Sequence, residues 1–296
     1  MSSYPKQSIT YKTVGSLDIK LDLYLPPNSP NPSKTPVYIW FHGGGLLQGS
    51  QTAIKPHTYS VLHHGYALVS PDYRLAPQAT AREILTDVLD LCAFVRDALQ
   101  AHIPASSGTT LDPSRVCISG SSAGGYIALL AGLYSALPKV VNPIYPMTDP
   151  HGEFFRRPQL ASLKGQRIDR SVVAPYLDRA AEVVAENAVE DPRQRMYDYM
   201  LQEAILPELW DVKPGDDEMI IKLAIKKKGT FPPIYVVHGD ADTRVGVEQA
   251  DEVVEALKEI GTDVKYERLP GLDHLFDVDP KYKLEEMYEW LYTHME

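Results

Sequence analysis

A single serine stands between two glycines at the point where a strand pattern gives way to a helix pattern. Residues 116–119 predict a buried strand, Gly120-Ser121-Ser122-Ala123-Gly124 follows, and residues 126–131 predict a buried helix. Gly-x-Ser-x-Gly in this setting is typical of a nucleophile elbow, in which a tight turn exposes the serine hydroxyl. Glycines suit such a turn because a side chain would clash with neighbouring backbone. The pattern predicts that Ser122 is a nucleophile, and a plain Gly/Ser-rich turn is the alternative.

A serine hydroxyl needs a base to remove its proton, and the base needs an acid to hold its tautomer. His274 comes just after the last predicted strand, while Asp240 and Asp242 come just after the strand before it. Because catalytic groups collect at the carboxyl ends of parallel strands, we expect these residues near Ser122. His274 is the expected base. Either Asp240 or Asp242 could be the acid, whereas Asp273 is expected to cap its own loop.

Three consecutive glycines follow His42, directly after the predicted strand at 37–41. The oxyanion that forms during attack needs N–H donors already in place, and glycine amides have no side chain in the way. Ala123, the residue after the nucleophile, supplies a further amide. Phosphate binding is the alternative for a glycine run, but the spacing and the Lys-Ser/Thr pair of a P-loop are missing. No metal-binding pattern occurs, so we expect neither a metal nor a cofactor.

Strand and helix patterns alternate along most of the chain. A hairpin is expected over residues 9–25, and this is followed by apolar or alternating runs that predict strands and by helical repeats between them. The strands are expected at 37–41, 67–70, 116–119, 140–145, 234–237 and 264–269, with helices at 54–64, 82–101, 123–137, 218–227, 247–260 and 281–294. This order predicts an α/β fold with a mainly parallel central sheet flanked by helices.

Residues 150–215 interrupt this alternation. The segment is charged, has helical patches at 170–187 and 193–204, and contains no convincing strand. We expect residues 1–149 and 216–296 to form the core, and residues 150–215 to form a mostly helical cap insertion over Ser122. The side chains predicted to bind substrate are Leu46, Ser121, Tyr197, Met200 and Leu201.

Composition restricts the partners of this chain. With 296 residues, 44% of them hydrophobic, it can bury a large core. Its net charge of −10 and lack of a long basic run argue against nucleic acid. No apolar run is long enough to span a membrane and residues 1–7 lack a signal-peptide pattern, so we expect a cytoplasmic protein that does not bind membranes. Cys92 and Cys117 are expected to be buried free thiols. A homodimer stays an open alternative.

Together the motifs resemble those of the hormone-sensitive-lipase-like branch of the α/β-hydrolase esterases. The matching stretches are His42-Gly43-Gly44-Gly45, Tyr73-Arg74-Leu75-Ala76-Pro77, Gly120–Gly125, His238-Gly239-x-x-Asp242-x-x-Val245 and Gly271-x-x-His274-x-Phe276. The resemblance implies an α/β-hydrolase fold and hydrolysis of carboxylic esters. It assigns Ser122 as nucleophile, His274 as base and Asp242 as acid. It also implies an oxyanion hole formed by the amides of Gly44, Gly45 and Ala123.

The chain departs from that branch at several points. Ser121 stands where an acidic residue is usual, and the histidine–glycine motif before Asp242 resembles that of prolyl-oligopeptidase-like and feruloyl-esterase-like hydrolases. The expected cap lies in the middle of the chain rather than at the N-terminus. The substrate preference of no single branch can therefore be carried over.

The leading expectation is a serine hydrolase that cleaves a carboxylic ester, lactone or thioester of a small molecule through an acyl-enzyme. Acyl transfer or a peptidase reaction on the same triad is the first alternative, because a fold does not fix a function. A non-catalytic small-molecule binding protein is the second, and the presence of His274 argues against it.

Overall fold

The computed structural model describes residues 4–27, 34–163 and 165–296, and in them eight strands form one sheet. The spatial order of the strands is β1-β2-β4-β3-β5-β6-β7-β8. Their bounds are β1 Gln7–Val14, β2 Leu17–Tyr24, β3 Thr35–Phe41, β4 Ala67–Pro71, β5 Leu111–Ser121, β6 Val140–Ile144, β7 Ile234–Gly239 and β8 Val264–Leu269. Strand β2 is antiparallel to β1 and β4, and the other neighbouring pairs are parallel. The predicted mainly parallel sheet is confirmed.

Helices cover both faces of this sheet. Successive residues of β3 enter two different cores: Val37 and Ile39 join the larger one, and Tyr38 and Trp40 join the smaller one. Helices α2, α3, α7 and α8 pack on the first face, and α1 and α9 pack on the second. The helices are α1 Ser60–His63, α2 Ala81–Asp97, α3 Ala123–Tyr134, α4 Arg170–Leu177, α5 Met196–Glu203, α6 Leu206–Trp210, α7 Ile221–Lys228, α8 Glu248–Glu259 and α9 Glu285–Met295. Burial on both faces explains why residues 37–41 of β3 form a continuous apolar run.

Local chemistry sets several helix ends. Helix α2 begins with a capping box, in which Thr80 and Glu83 each bond the other's backbone N–H. The expected helix at 170–187 was too long, because α4 ends at Leu177. After Leu177 the backbone forms hydrogen bonds to distant loops instead of helical ones. The carbonyl of Val184 accepts from the amide of Leu75, and the amide of Asn187 donates to the carbonyl of Gly49. The apolar residues there pack on the core without a helical repeat.

The described part of segment 150–215 contains α4, α5, α6 and short 3-10 turns, and no strand. Two of its side chains fix it to the loops that follow β3 and β4. The buried guanidinium of Arg193 donates to the carbonyls of Leu47 and Ala76. The indole of Trp210 donates to the carbonyl of Gly45 and packs on the ring of Tyr126. The segment is therefore packed against the α/β core next to the glycine loop.

Two further sequence expectations concern single features. Cys92 and Cys117 are both buried, and neither forms a disulfide. Over the residues that the structure describes, every helix is either too short or too polar to cross a bilayer.

Candidate active site

Ser122 lies at a strained turn between β5 and α3. Its backbone has φ 59° and ψ −119°, a conformation that non-glycine residues rarely adopt and that is commonly found at functional sites. The turn is closed by backbone contacts: a Cβ built on Gly124 would lie 2.1 Å from the carbonyl oxygen of Phe41, and one on Gly120 would lie 2.5 Å from the backbone of Gly124. Both glycines are therefore required, and the amide of Ser122 donates to Ile144 at 2.9 Å.

His274 and Asp242 meet at the same edge of the sheet. The loop after β8 carries the histidine and the loop after β7 carries the aspartate. The Nδ1–H of His274 donates to Oδ2 of Asp242 at 2.7 Å. The other carboxylate oxygen accepts the amides of Arg244 and Val245, each at 2.8 Å. These bonds orient the carboxylate, which in turn holds the imidazole with Nε2 unprotonated, as a general base requires.

The electrostatics of this pair match those roles. Burial acts to raise the pKa of Asp242, but His274 and His238 outweigh it and hold that pKa well below its ordinary value. Burial lowers the pKa of the His274 imidazole, and the nearby charge of Asp242 only partly opposes this. At neutral pH the carboxylate is thus ionised and the imidazole is neutral, the resting state of a base that takes a proton from a serine.

The other two aspartates near His274 bind backbone groups. Asp240 accepts the amide of Gly271 at 2.6 Å. Asp273 accepts the amides of Thr243 and of His274 itself, as expected of a loop cap. Of the two acids that the sequence left open, Asp242 is the one in contact with the imidazole.

A cavity of about 380 Å³ opens beside Ser122 and His274. Its wall comes from the glycine loop and the chain after it, from the elbow, from segment 150–215 and from the loops after β7 and β8. It is lined by Gly43, Gly44, Gln48, Gly49, Ser50, Thr52, Ala53, Lys55, Ser121, Ser122, Asn187, Val189, Gln194, Tyr197, Arg244, His274 and Leu275. The volume suits a small organic molecule.

The glycine loop approaches the elbow closely. A Cβ on Gly43 would lie 3.3 Å from that of Ser122, and Gly44 also lines the cavity. Gly45 lies further along: a Cβ there would meet the Tyr197 ring at 2.3 Å. Gly44 and Gly45 both have positive φ angles, 104° and 70°. Ala123, predicted to give the third amide, is the first residue of α3.

His42 supports the loop from beneath. Its ring is buried, stacks on the Tyr73 ring at 4.4 Å, and donates through Nδ1 to the carbonyl of Gly43 at 2.7 Å. The hydroxyl of Tyr73 donates to the carbonyl of His42. Burial lowers the pKa of the His42 imidazole to about 4, so the ring is neutral at neutral pH.

The structure separates the five predicted substrate-binding residues into two groups. Ser121 and Tyr197 line the cavity. Leu46, Met200 and Leu201 are fully buried in the larger core and are not part of the cavity wall. Tyr197, Met200 and Leu201 share one face of α5, but Tyr197 lies near its start, beside the glycine loop, whereas Met200 and Leu201 lie one turn further on and pack into the core. We therefore assign these three side chains to packing.

Several groups at the site carried little or no signal in the sequence. Tyr145 packs its ring on His274 with a centroid distance of 4.4 Å, and its hydroxyl donates to Asp277 at 2.5 Å. Asp277 also lies 3.3 Å from Nε2 of His57. Arg244 lies within the motif around Asp242 and could have been singled out, whereas Lys55 follows no motif. Among the described residues no cluster of His, Cys, Asp or Glu could hold a metal ion.

Two family descriptions match the chain. The family described as BD-FAE matches residues 21–155, which include the glycine loop and Ser122. The prolyl oligopeptidase family matches residues 182–296, which include Asp242 and His274.

The curated relatives are much larger proteins. A non-reducing polyketide synthase of Emericella nidulans is 28% identical over 324 residues, covering 92% of this chain and 13% of its own length. A non-reducing polyketide synthase of Stachybotrys bisbyi is 25% identical, covering 92% of this chain and 14% of its own length. The chain thus spans about an eighth of these relatives.

Solved structures resemble the chain over nearly its whole length. An α/β hydrolase superfamily protein from Enterococcus faecalis has a TM-score of 0.75 at 19% identity and covers 99% of both chains. A thermophilic esterase from Thermogutta terrifontis has a TM-score of 0.67 at 20% identity, covering 97% of this chain and 92% of its own. Carboxyl esterase 2 from Tuber melanosporum has a TM-score of 0.68 at 18% identity, covering 99% and 88%. The eight-stranded sheet, the serine elbow and these matches agree that the chain has the α/β-hydrolase fold, and the esterases among the matched structures share it.

Proposed function

We propose that this protein is a serine hydrolase that cleaves a carboxylic ester, lactone or thioester of a small molecule through an acyl-enzyme. One observation carries the proposal. Ser122, at a strained positive-φ turn, shares a cavity with His274, whose Nδ1 is bonded to the buried carboxylate of Asp242 at 2.7 Å. A neutral imidazole backed by an anionic carboxylate is the arrangement that activates a serine hydroxyl.

The chemistry proceeds in two steps. The Ser122 oxygen forms a bond to the substrate carbonyl carbon while Nε2 of His274 takes the hydroxyl proton. Collapse of the tetrahedral intermediate breaks the bond to the leaving alcohol or thiol, which receives that proton. Water then attacks the acyl-enzyme, His274 again takes and returns a proton, and the acid is released with Ser122 regenerated.

We further propose that the amides of Gly44, Gly45 and Ala123 bind the oxyanion, and that residues 150–215 act as a cap. The close approach of the glycine loop to Ser122 supports the first proposal, and Gly43 is near enough to Ser122 to contribute as well. The presence of Tyr197 and Asn187 on the cavity wall supports the second. A cap of this kind restricts the access of water and of substrate.

A peptidase reaction on the same triad is the second candidate. The match of residues 182–296 to the prolyl oligopeptidase family favours it, because that part of the chain carries Asp242 and His274. Acyl transfer to an alcohol or amine uses the same acyl-enzyme and differs only in the group that attacks it. A panel of p-nitrophenyl esters, lactones, thioesters and peptide anilides would rank these reactions.

The central test is labelling by a fluorophosphonate probe, which forms a covalent bond with activated serines. We expect the wild-type protein to label, with the adduct mapped to Ser122 by mass spectrometry, and Ser122→Ala to remain unlabelled. The same variant should lose on the order of 10⁶-fold in the rate of ester hydrolysis. An adduct on Ser119 or Ser121, or a variant that keeps activity within tenfold of wild type, would refute the assignment.

A further inference from the structure

The cavity beside Ser122 differs in charge from the protein as a whole. The chain has a net charge of −10. Yet the cavity wall includes two cationic side chains, Lys55 and Arg244, and no aspartate or glutamate among the described residues. The polar remainder of the wall includes Gln48, Thr52 and Asn187. Val189 and Leu275 add apolar surface to the wall, so it suits a ligand that combines an apolar part with a negatively charged group.

Arg244 is already paired. Its guanidinium donates to Asp198 at 2.5 Å and lies 5.1 Å from the centre of the Tyr197 ring. These contacts hold Tyr197 and Arg244 together where segment 150–215 meets the loop after β7. The positive charge of Arg244 is thus largely balanced by the carboxylate of Asp198.

Lys55 is placed differently. Its side chain is only 15% exposed, and its ammonium lies 3.6 Å from Oδ1 of Asp277, too far for a good N–H···O bond. That oxygen already accepts the hydroxyl of Tyr145, and the other faces His57. An ammonium has three N–H donors, and a buried charge is costly unless it is well paired and hydrogen-bonded. Lys55 is thus ion-paired with Asp277 without a close hydrogen bond to it, and a ligand anion in the cavity would accept from its remaining N–H donors.

We propose that the cavity selects substrates whose acyl group carries an anionic oxygen group, such as a carboxylate, which pairs with Nζ of Lys55. The inference rests on the proposed hydrolase function and specifies its substrate class. Lys55 orients the acyl group by its charged end, while Ser122 attacks the carbonyl. A charge-assisted hydrogen bond in a partly buried site is among the stronger polar contacts, so its loss should have a measurable effect.

The test compares two esters that differ in one terminal group. Mono-p-nitrophenyl adipate carries a carboxylate where p-nitrophenyl hexanoate carries a methyl group. We expect the wild-type kcat/KM to be about tenfold or more higher for the adipate ester. Lys55→Met should lower this ratio about 10- to 100-fold, the range of a charged hydrogen bond. Lys55→Arg, which keeps the charge, should restore most of the preference.

Lys226→Met is the matched control, since Lys226 lies at the end of α7, outside the cavity wall, and pairs with Glu259. It should keep the wild-type ratio. A wild-type ratio near one, or a ratio that Lys55→Met leaves intact, would overturn the inference. Absence of any fluorophosphonate label on Ser122 would instead refute the proposed function itself.

A second measurement avoids dependence on the folding of a variant. Free adipate should slow the labelling of wild-type Ser122 more than neutral adipamide at the same concentration, and added salt should reduce the difference. Equal protection by the two compounds would contradict the role of Lys55.

Discussion

Asp242 uses its two carboxylate oxygens for different purposes. Oδ1 is held by the amides of Arg244 and Val245, which belong to its own loop, and Oδ2 is left to accept the Nδ1–H of His274. The nearby His238 ring, with Nε2 3.3 Å from the same Oδ2, adds a further contact. The carboxylate is therefore fixed before a substrate arrives, which is the condition for an effective orienting acid.

Replacing the two candidate acids separately should distinguish them. Asp242→Asn should lower kcat by about 10⁴-fold at neutral pH, because an amide cannot hold the imidazole in the same tautomer. Asp240→Asn should change kcat by less than about tenfold, since Asp240 only accepts the amide of Gly271. Steady-state kinetics on one p-nitrophenyl ester would measure both, and the reverse ranking would make Asp240 the acid.

The pH dependence of kcat/KM should report the His274 imidazole. The base is active when neutral, and burial lowers its pKa below the ordinary 6.5. We therefore expect kcat/KM to fall as the pH decreases through a midpoint below 6.5 and to be flat near pH 7. The residual activity of Asp242→Asn should have its midpoint at a still lower pH, because the charge that raises this pKa is gone. A wild-type midpoint above 6.5 would contradict this account.

At the scale of elements, segment 150–215 stabilises the glycine loop and also contributes to the cavity wall. Arg193 donates to the carbonyls of Leu47 and Ala76, and Trp210 donates to that of Gly45. Backbone carbonyls in a buried loop need such partners, because an unsatisfied polar group is costly. The geometry of the proposed oxyanion hole thus depends on residues more than a hundred positions later in the chain.

Trp210→Phe tests this dependence. The indole N–H is lost while much of the packing on Tyr126 is kept, so the carbonyl of Gly45 loses a buried donor. We expect kcat to fall about tenfold, and the rate of fluorophosphonate labelling to fall with it. Tyr134→Phe is the control, because it removes a hydrogen bond to the carbonyl of Glu218, away from the loop. Equal effects of the two variants would show that the loss is one of general stability.

Patterns local in sequence predicted most elements of the fold. Strand β8 has the expected bounds of 264–269, and the elbow turn follows from the spacing of Gly120, Ser122 and Gly124. These features are set by periodicity and by steric conflict between near neighbours. The predicted end of α4 was wrong. Residues 178–187 do not continue the helix, because their backbone bonds to loops about a hundred residues earlier in the chain.

Contacts between distant parts of the chain explain the rest of what the sequence missed. Leu46 follows the glycine loop and looked like a pocket residue, but it packs into the core, and Ala76 donates to its carbonyl. Lys55 and Tyr145 lie in no motif, and both contact Asp277 in the loop after β8, far from either in the sequence. The sequence of a loop does not specify which side chains that loop will meet.

At the scale of the whole molecule, the central sheet is covered on both faces, and ionisable side chains at its strand ends are buried as a result. His42 lies at the carboxyl end of β3, fully buried and neutral, with a pKa lowered to about 4 from an ordinary 6.5. Between these values the unfolded chain binds a proton at this site and the folded chain does not. The free energy of unfolding must therefore decrease as the pH falls from 6.5 towards 4.

This linkage predicts a loss of about 3 kcal/mol from His42 over that interval, since each pKa unit corresponds to about 1.4 kcal/mol. Urea unfolding at a series of pH values would measure it. His42→Gln should have a lower free energy of unfolding at neutral pH, but that free energy should decrease less as the pH falls. The exposed His102 provides the control, and His102→Gln should keep the wild-type slope. The same slope in all three proteins would contradict a neutral, buried His42.

The order of the strands also has a consequence for biosynthesis. The proposed nucleophile lies after β5, whereas its proposed base lies after β8, the last strand of the sheet. At a translation rate of roughly 5–20 residues per second, on the order of ten seconds separate the appearance of the two on the ribosome. During that interval the nascent chain carries a serine without a proton acceptor. If Ser122 and His274 act as proposed, the protein becomes reactive only once its final strand has docked, and partly made chains do not attack the esters around them.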